Sequence, residues 1–464
     1  MQVPILSGTY SDNDADYRTS YPRNMIPVPK DTSISKGYLR PADGIVTFAQ
    51  TTGKDRGGYN WNGEHYRVVG TSLVYISRAG AITSKGTISG TGQVTFDKSF
   101  DYLSISADGK LYLYNGTLTQ VTDVDLGLVV DHLDIAGYTM TTDGKFLVVT
   151  ELNDRFAVNP LKYGSSEADP DPVLAILEHR KEVYALNRNT IEVFRNVGGS
   201  YFPFQVIGSA QIQRGVIGTH ACCVFQEAIA FLGGKLNEPC AVWIGVNGST
   251  TKISTREIDT IIQEFSESQL EKVVLETRVD KSHAFLYIRL PDRTLVYDYN
   301  ASRQVGKNVW FTLTSSVIGH EQYRSVNLVW VYDKWFVGDT KENQIGYLDD
   351  SISSHYGDVN GWEFQTSILY NKGGALIHEL ELVALTGRIE LGIDPTIWTS
   401  YSVDGMSDSQ EIPISAGKLG DRNIKLSWLQ QGFMRDTRSQ KFRGTSDAHI
   451  SVSRLEARIE ALNG

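Results

Sequence analysis

From about residue 64 onward the chain repeats one pattern: a short run rich in β-branched and aromatic residues, a turn of Gly, Asp or Asn, and a second such run. Its instances begin near Tyr66-Arg67-Val68-Val69, Leu111-Tyr112-Leu113-Tyr114, Phe146-Leu147-Val148-Val149, Glu182-Val183-Tyr184-Ala185, Ala241-Val242-Trp243-Ile244, Phe285-Leu286-Tyr287-Ile288 and Trp335-Phe336-Val337. They recur at intervals of about 35 to 60 residues, the range in which repeated β units form propeller blades. Two are joined to the preceding run by Asp-Gly, at Asp108-Gly109 and Asp143-Gly144, and Asp-Gly supplies the positive φ angles of tight hairpins. The spacing predicts an all-β fold with a β-propeller of six or seven blades over residues 61–361. A sandwich of similar strand number is the competing architecture.

Two stretches break the pattern. Between Arg256 and Val274, Ile258, Ile261, Ile262 and Phe265 share one helix face, and Ser266 with Gln269 forms a capping box opening a second helical turn. After Trp362 the short runs give way to longer alternating ones, Glu379 to Leu385, Ile389 to Ile393 and Ser451 to Ile459, which predict a C-terminal β-sandwich-like domain over 362–464. Residues 1–60 carry Pro4, Pro22, Pro27, Pro29 and Pro41 and no sustained period, and are expected to form an extended arm leading into the first strands.

Composition narrows the function. At 464 residues the chain can bury a large core without disulfides or metal, and Cys222, Cys223 and Cys240 match neither a CxxC metal pattern nor a disulfide framework. Mean hydropathy is -0.23, and no run reaches the ~18 apolar residues of a membrane span. Met1 to Leu6 lacks the basic and apolar regions of a signal peptide, so synthesis in a reducing cytoplasm is expected. The net charge of -10 argues against wrapping nucleic acid by phosphate neutralisation. Charge is uneven: from Lys418 onward nine Lys and Arg face five Asp and Glu, a solvated tail or a docking surface for an acidic partner.

The usual carriers of chemistry are missing. There is no GxSxG elbow, no HExxH helix and no Gly-rich phosphate loop ending in Gly-Lys-Ser/Thr. The nine histidines are scattered singly, and the acidic loop Ser165 to Pro172 lacks the spaced ligand set of a calcium loop. No catalytic, cofactor or metal residue is therefore assigned. A propeller hydrolase with two distant carboxylates, acting on cell-surface polysaccharide, and a receptor-binding module stay open.

Asn24-Met25-Ile26-Pro27-Val28-Pro29-Lys30, then Gly37-Tyr38-Leu39-Arg40 and Asp43-Gly44-Ile45, resembles the opening of the packaged-DNA stabilisation proteins, the tail hubs of Salmonella-type short-tailed phages. Arg56-Gly57-Gly58, Thr190 to Phe194, Phe202-Pro203-Phe204, Gln213-Arg214-Gly215, Thr294 to Asp298, Gly346 to Asp349, Ser353 to Tyr356 and Arg454-Leu455-Glu456 continue the resemblance in order along nearly the whole chain. It implies a non-enzymatic virion protein of the tail, made in the host cytoplasm. It further implies a homo-hexamer under the portal adapter that closes the channel and retains packaged DNA, holds tailspike trimers and a tail needle, and lets DNA pass without sequence-specific binding. The densest local match makes Asn24, Met25, Pro27, Pro29, Tyr38 and Arg40 the candidate interface.

Overall fold

The computed structural model describes residues 1–6, 8, 20–30, 36–389, 393–445 and 450–462. Seven antiparallel sheets succeed one another along the chain as propeller blades: residues 55–87, 95–120, 131–165, 173–206, 215–252 and 274–313 form blades 1 to 6. Blade 7 takes three strands from residues 325–349 and its outermost strand, Gly44–Gln50, from the other end of the chain. The ring is thus closed by hydrogen bonding between distant segments, with Tyr347 opposite Val46 and Leu348 opposite Ile45. Each of the seven repeated runs falls in a different blade.

The local chemistry explains the strands. Asp108 and Gly109, both at positive φ (53° and 74°), form a two-residue hairpin loop between Leu103–Ala107 and Lys110–Tyr114. The second Asp-Gly differs: only Gly144 has positive φ, and the Asp143 carboxylate instead accepts the N–H groups of Lys145 (2.8 Å) and Phe146 (2.6 Å) in an Asx-type turn. Helix occurs at Arg256–Gln263 and Glu267–Leu270, burying Ile258, Ile262 and Leu270, with Gln269 Oε1 accepting the Ser266 N–H as expected of the capping box. A further helix, Tyr299–Val305, begins where the Asp298 side chain caps the Ala301 N–H and ends at Gly306 in the left-handed region.

The C-terminal region is a β-sandwich. One sheet runs, in spatial order, Met25–Pro29, Gly37–Pro41, Ser451–Ala461, Ala375–Leu385, Leu426–Leu429; the other runs Trp362–Gln365, Thr437–Gly444, Thr396–Ser402, Ile412–Ser415. Along Ala375–Leu385 the buried positions are 375 and 377, then 380 and 382; a register shift between Ile377 and Glu379 moves the alternation by one. Phe364 and Phe442, opposite each other on neighbouring strands of the second sheet, stack at 5.2 Å, and Trp428 of the first sheet lies 5.6 Å from Phe442. Each such ring contributes about 1.5–3 kcal/mol through burial. The expected run Ile389 to Ile393 lies largely outside the described residues.

In place of an extended arm, the described N-terminal residues form a short strand, Gln2–Val3, paired with Ser451–Ala461, and an edge hairpin of the sandwich, Pro27 opposite Leu39 and Pro29 opposite Gly37, followed by the strand that closes blade 7. Prolines argue against a central strand. Met25–Pro29 is an edge strand, where a missing N–H disrupts no ladder on the open side.

Candidate functional site

Two regions concentrate buried polar chemistry: the seam between propeller and sandwich, and the propeller axis. At the seam the Asn24 carboxamide donates to the carbonyls of Thr314 (2.9 Å) and Gly361 (2.7 Å) and accepts the Thr314 N–H (3.0 Å). Its backbone carbonyl accepts the Ala42 N–H (2.9 Å). One residue, held at φ 53°, therefore joins blade 6, the start of the sandwich and the end of the hairpin. Arg40 pairs with Asp43 (2.8 Å) and with Asp280 of blade 6 (2.7 Å), while Arg278 also reaches Asp43. These two cations hold the Asp43 carboxyl below the ordinary carboxylate range against the opposing effect of burial.

The candidate interface residues thus fall into two groups. Asn24, Met25, Pro27 and Arg40 are buried within the chain and present no free surface to a partner. Pro29 and Tyr38 are partly exposed, with Lys30 Nζ 4.8 Å from the Tyr38 ring centre. The segment ties the two domains together. In the basic C-terminal stretch, Lys425 pairs with Glu379, Lys441 with Glu363, Arg443 with Glu411 and Arg454 with Glu456, so part of its charge is answered inside the sandwich.

Along the propeller axis, carboxylates on the inner strands cap backbone N–H groups of the next blade. Asp97 Oδ2 accepts from Asp134 (2.7 Å), Asp131 Oδ2 from Ile176 (2.9 Å), and Glu276 Oε1 from Leu328 (2.7 Å). Between blades 7 and 1, the fully buried Arg67 donates to Asp55 Oδ2 (2.8 Å), His65 Nε2 (2.8 Å) and the Asn327 carbonyl (2.9 Å), and Asn327 Nδ2 donates to the same Asp55 oxygen (2.7 Å). Because Arg67 donates to Nε2, His65 is neutral, and burial beside a cation pushes its pKa well down.

These inner strands surround a cavity of about 410 Å³ whose lining includes Asp97, Asp131, Glu178, Glu276, His132 and His220 and, among the described residues, contains no Lys or Arg. Burial raises Asp131 to about 7 and Asp97 to about 6, the latter also through nearby Asp134 and Glu178. The same burial lowers His132 and His220 to about 4, so both rings are neutral at pH 7. Cys222, also at the axis, is pushed well up by burial, so the protein stabilises the thiol rather than the reactive thiolate. Among the described residues, no group of three or more His, Cys, Asp and Glu is placed to hold a metal ion. No sequence motif marks the axis; its carboxylates share only their place on the first strand of a blade.

The fold is therefore a seven-bladed propeller with carboxylate joints between blades, interlocked with a sandwich assembled from both ends of the chain. The chain belongs to the bacteriophage P22 Gp10 family: the beta-propeller model of that family matches residues 1–353 and its beta-sandwich model matches residues 361–460. The tail hub protein gp10 of Salmonella phage P22 is 27% identical over 481 residues, covering 99% of each chain. Among solved structures, the Neurospora crassa Pan2 WD40 domain superposes with a TM-score of 0.42 at 8% identity, covering 66% of this chain and 95% of that one. The computationally designed Ika8 protein superposes with a TM-score of 0.40 at 13% identity, covering 75% and 97%.

Proposed function

We propose that this chain is a structural subunit of the tail hub of a short-tailed phage, located in the virion tail and without enzymatic activity. Six copies assemble beneath the portal adapter, close its channel, retain the packaged DNA and carry the tailspike trimers and the needle. DNA passes the hub without sequence-specific binding. The observation that carries this reading is the match to the P22 tail hub protein over 99% of both chains.

The physics agrees with a load-bearing part. The propeller leaves few free sheet edges, and its joints are partly or fully buried hydrogen bonds that a sliding blade would have to break. Large apolar side chains stand in solvent on the isolated subunit, among them Phe100 (95% exposed) and Val124 (89%), and assembly would cover such groups. A phage carrying a stop codon in this gene tests the proposal. Capsids should fill and then lose their DNA, without spikes or needle, and complementation should restore sixfold density below the adapter. Stable filled particles without the chain would overturn it.

A further inference from the structure

An asparagine followed by glycine is prone to spontaneous ring closure, because glycine has no Cβ to shield its backbone nitrogen from the preceding side chain. The described residues hold four such pairs, Asn62-Gly63, Asn115-Gly116, Asn247-Gly248 and Asn360-Gly361. Three of them are restrained by the fold. Asn360 is 5% exposed, its Nδ2 donates to the Ser353 carbonyl (2.7 Å), and the Gly361 N–H donates to the Ser316 carbonyl (3.0 Å). The Gly63 N–H donates to Asn60 Oδ1 (3.1 Å) inside a two-residue hairpin loop, with Asn62 at φ 54° and Gly63 at φ 80°. Asn247 and Gly248, at φ 51° and 77°, form a loop of the same kind closed by the pairing of Val246 with Ser249. Gly248 also lies so close to Ser209 that a Cβ there would stand 2.8 Å from the Ser209 carbonyl oxygen.

Asn115-Gly116 has none of these restraints. It sits in the exposed loop 115–117 between Lys110–Tyr114 and Leu118–Gln120. Neither the Asn115 carboxamide nor the Gly116 N–H has a hydrogen-bond partner among the described residues, and a Cβ at Gly116 (φ 110°) would meet nothing within 4 Å. The strand that follows is only three residues long and forms the edge of blade 2, so the loop can rearrange without opening an extended ladder.

We propose that Asn115 is a site of spontaneous deamidation in the folded protein, with water as the co-reactant. The Gly116 nitrogen gives up its proton and attacks Asn115 Cγ; the new C–N bond closes a five-membered succinimide, and the carboxamide nitrogen leaves with a proton as ammonia. Water then adds to one of the two ring carbonyls and breaks its bond to nitrogen, leaving either aspartate or isoaspartate. Asparagine and water thus become a carboxylate and ammonium, and no oxidant or metal takes part. Each event adds a negative charge to a chain whose net charge is -10, and the isoaspartate form inserts a methylene into the backbone of the blade 2 loop. The inference is independent of the hub reading.

Incubating the full-length chain at neutral pH, folded in one sample and unfolded in guanidinium chloride in another, and mapping its peptides by mass spectrometry tests this. Isoaspartate is read as the peptides that an isoaspartate methyltransferase labels. In the unfolded chain the four pairs should convert at similar rates, since each offers the same glycine nitrogen. In the folded chain Asn115 should convert about tenfold or more faster than Asn62, Asn247 or Asn360, because a restrained amide must first open at the cost of its native contacts. Equal rates at the four pairs in the folded chain, faster conversion at any of the other three, or no conversion at Asn115 while the unfolded chain reacts would each overturn the proposal.

Discussion

Met25 and Ile26 are neighbours on one strand and lie in different hydrophobic cores. Met25, fully buried, packs with Trp362, Phe364 and Leu455 in the sandwich; Ile26, 3% exposed, packs with Phe285, Phe311 and Val337 of blades 6 and 7. Successive side chains of a strand point to opposite faces, so the hairpin is a layer shared by both domains. Ile26→Ala should cost about 2–4 kcal/mol and lower the unfolding temperature of propeller and sandwich together, seen in calorimetry as one shifted transition. If only one of two separate transitions moves, the layers are not coupled.

Asn24 should be irreplaceable by its nearest relatives. Asn24→Ala leaves the Thr314 N–H and two carbonyls without partners and is expected to cost about 2–4 kcal/mol, measured by urea denaturation. Asn24→Gly relieves the positive φ yet restores none of those bonds, so it should recover only a small part of the loss. Asn24→Asp, which aims one carboxylate oxygen at two carbonyls, should be the worst of the three.

The joint between blades 7 and 1 makes an asymmetric prediction. Arg67→Met strands the Asp55 carboxylate in a site with no access to water and should destabilise by about 3–5 kcal/mol. Adding Asp55→Asn to that variant should restore a substantial share, because the uncompensated charge is then gone. A double-mutant cycle showing simple additivity would refute the coupling.

Asp131 should make stability fall as pH rises. Its folded pKa of about 7 lies above the unfolded value of about 4, so the native state holds the extra proton; the stabilisation is complete below pH ~4 and is lost as pH rises through ~7. His132, His220 and His355, lowered in the folded state to about 4, 4 and 3, act in the opposite sense between pH ~4 and ~6.5, so the comparison must be a difference. Relative to wild type, Asp131→Asn should be more favourable at pH 8 than at pH 5, by on the order of 2–4 kcal/mol. Denaturation curves at the two pH values measure it, and a difference independent of pH would exclude the assigned protonation.

The blades were legible because each contains at least one run whose β-rich composition and turn residues are local, and seven such runs mark seven sheets. The capping box at Ser266 and Gln269 was legible for the same reason. The hairpin at 25–41 was not: its prolines argue against strand, and only the partner strand Ser451–Ala461, with Leu39 opposite Val452, makes it an edge where they are tolerated. The axial carboxylates escaped notice because Asp97, Asp131 and Glu276 come from three blades and resemble any other acids of the chain until the ring brings them together.

The pairing of Leu39 with Val452 also sets a timetable for synthesis. The hairpin leaves the ribosome early, and the strand that completes its sheet follows about 400 residues later, roughly 20–80 s at ordinary elongation rates. Through that interval an apolar edge waits without its neighbour. The contacts that finish the molecule are therefore among its most distant in sequence and form only when synthesis is nearly complete, the circumstance in which non-local β topologies fold slowly and leave edges unpaired.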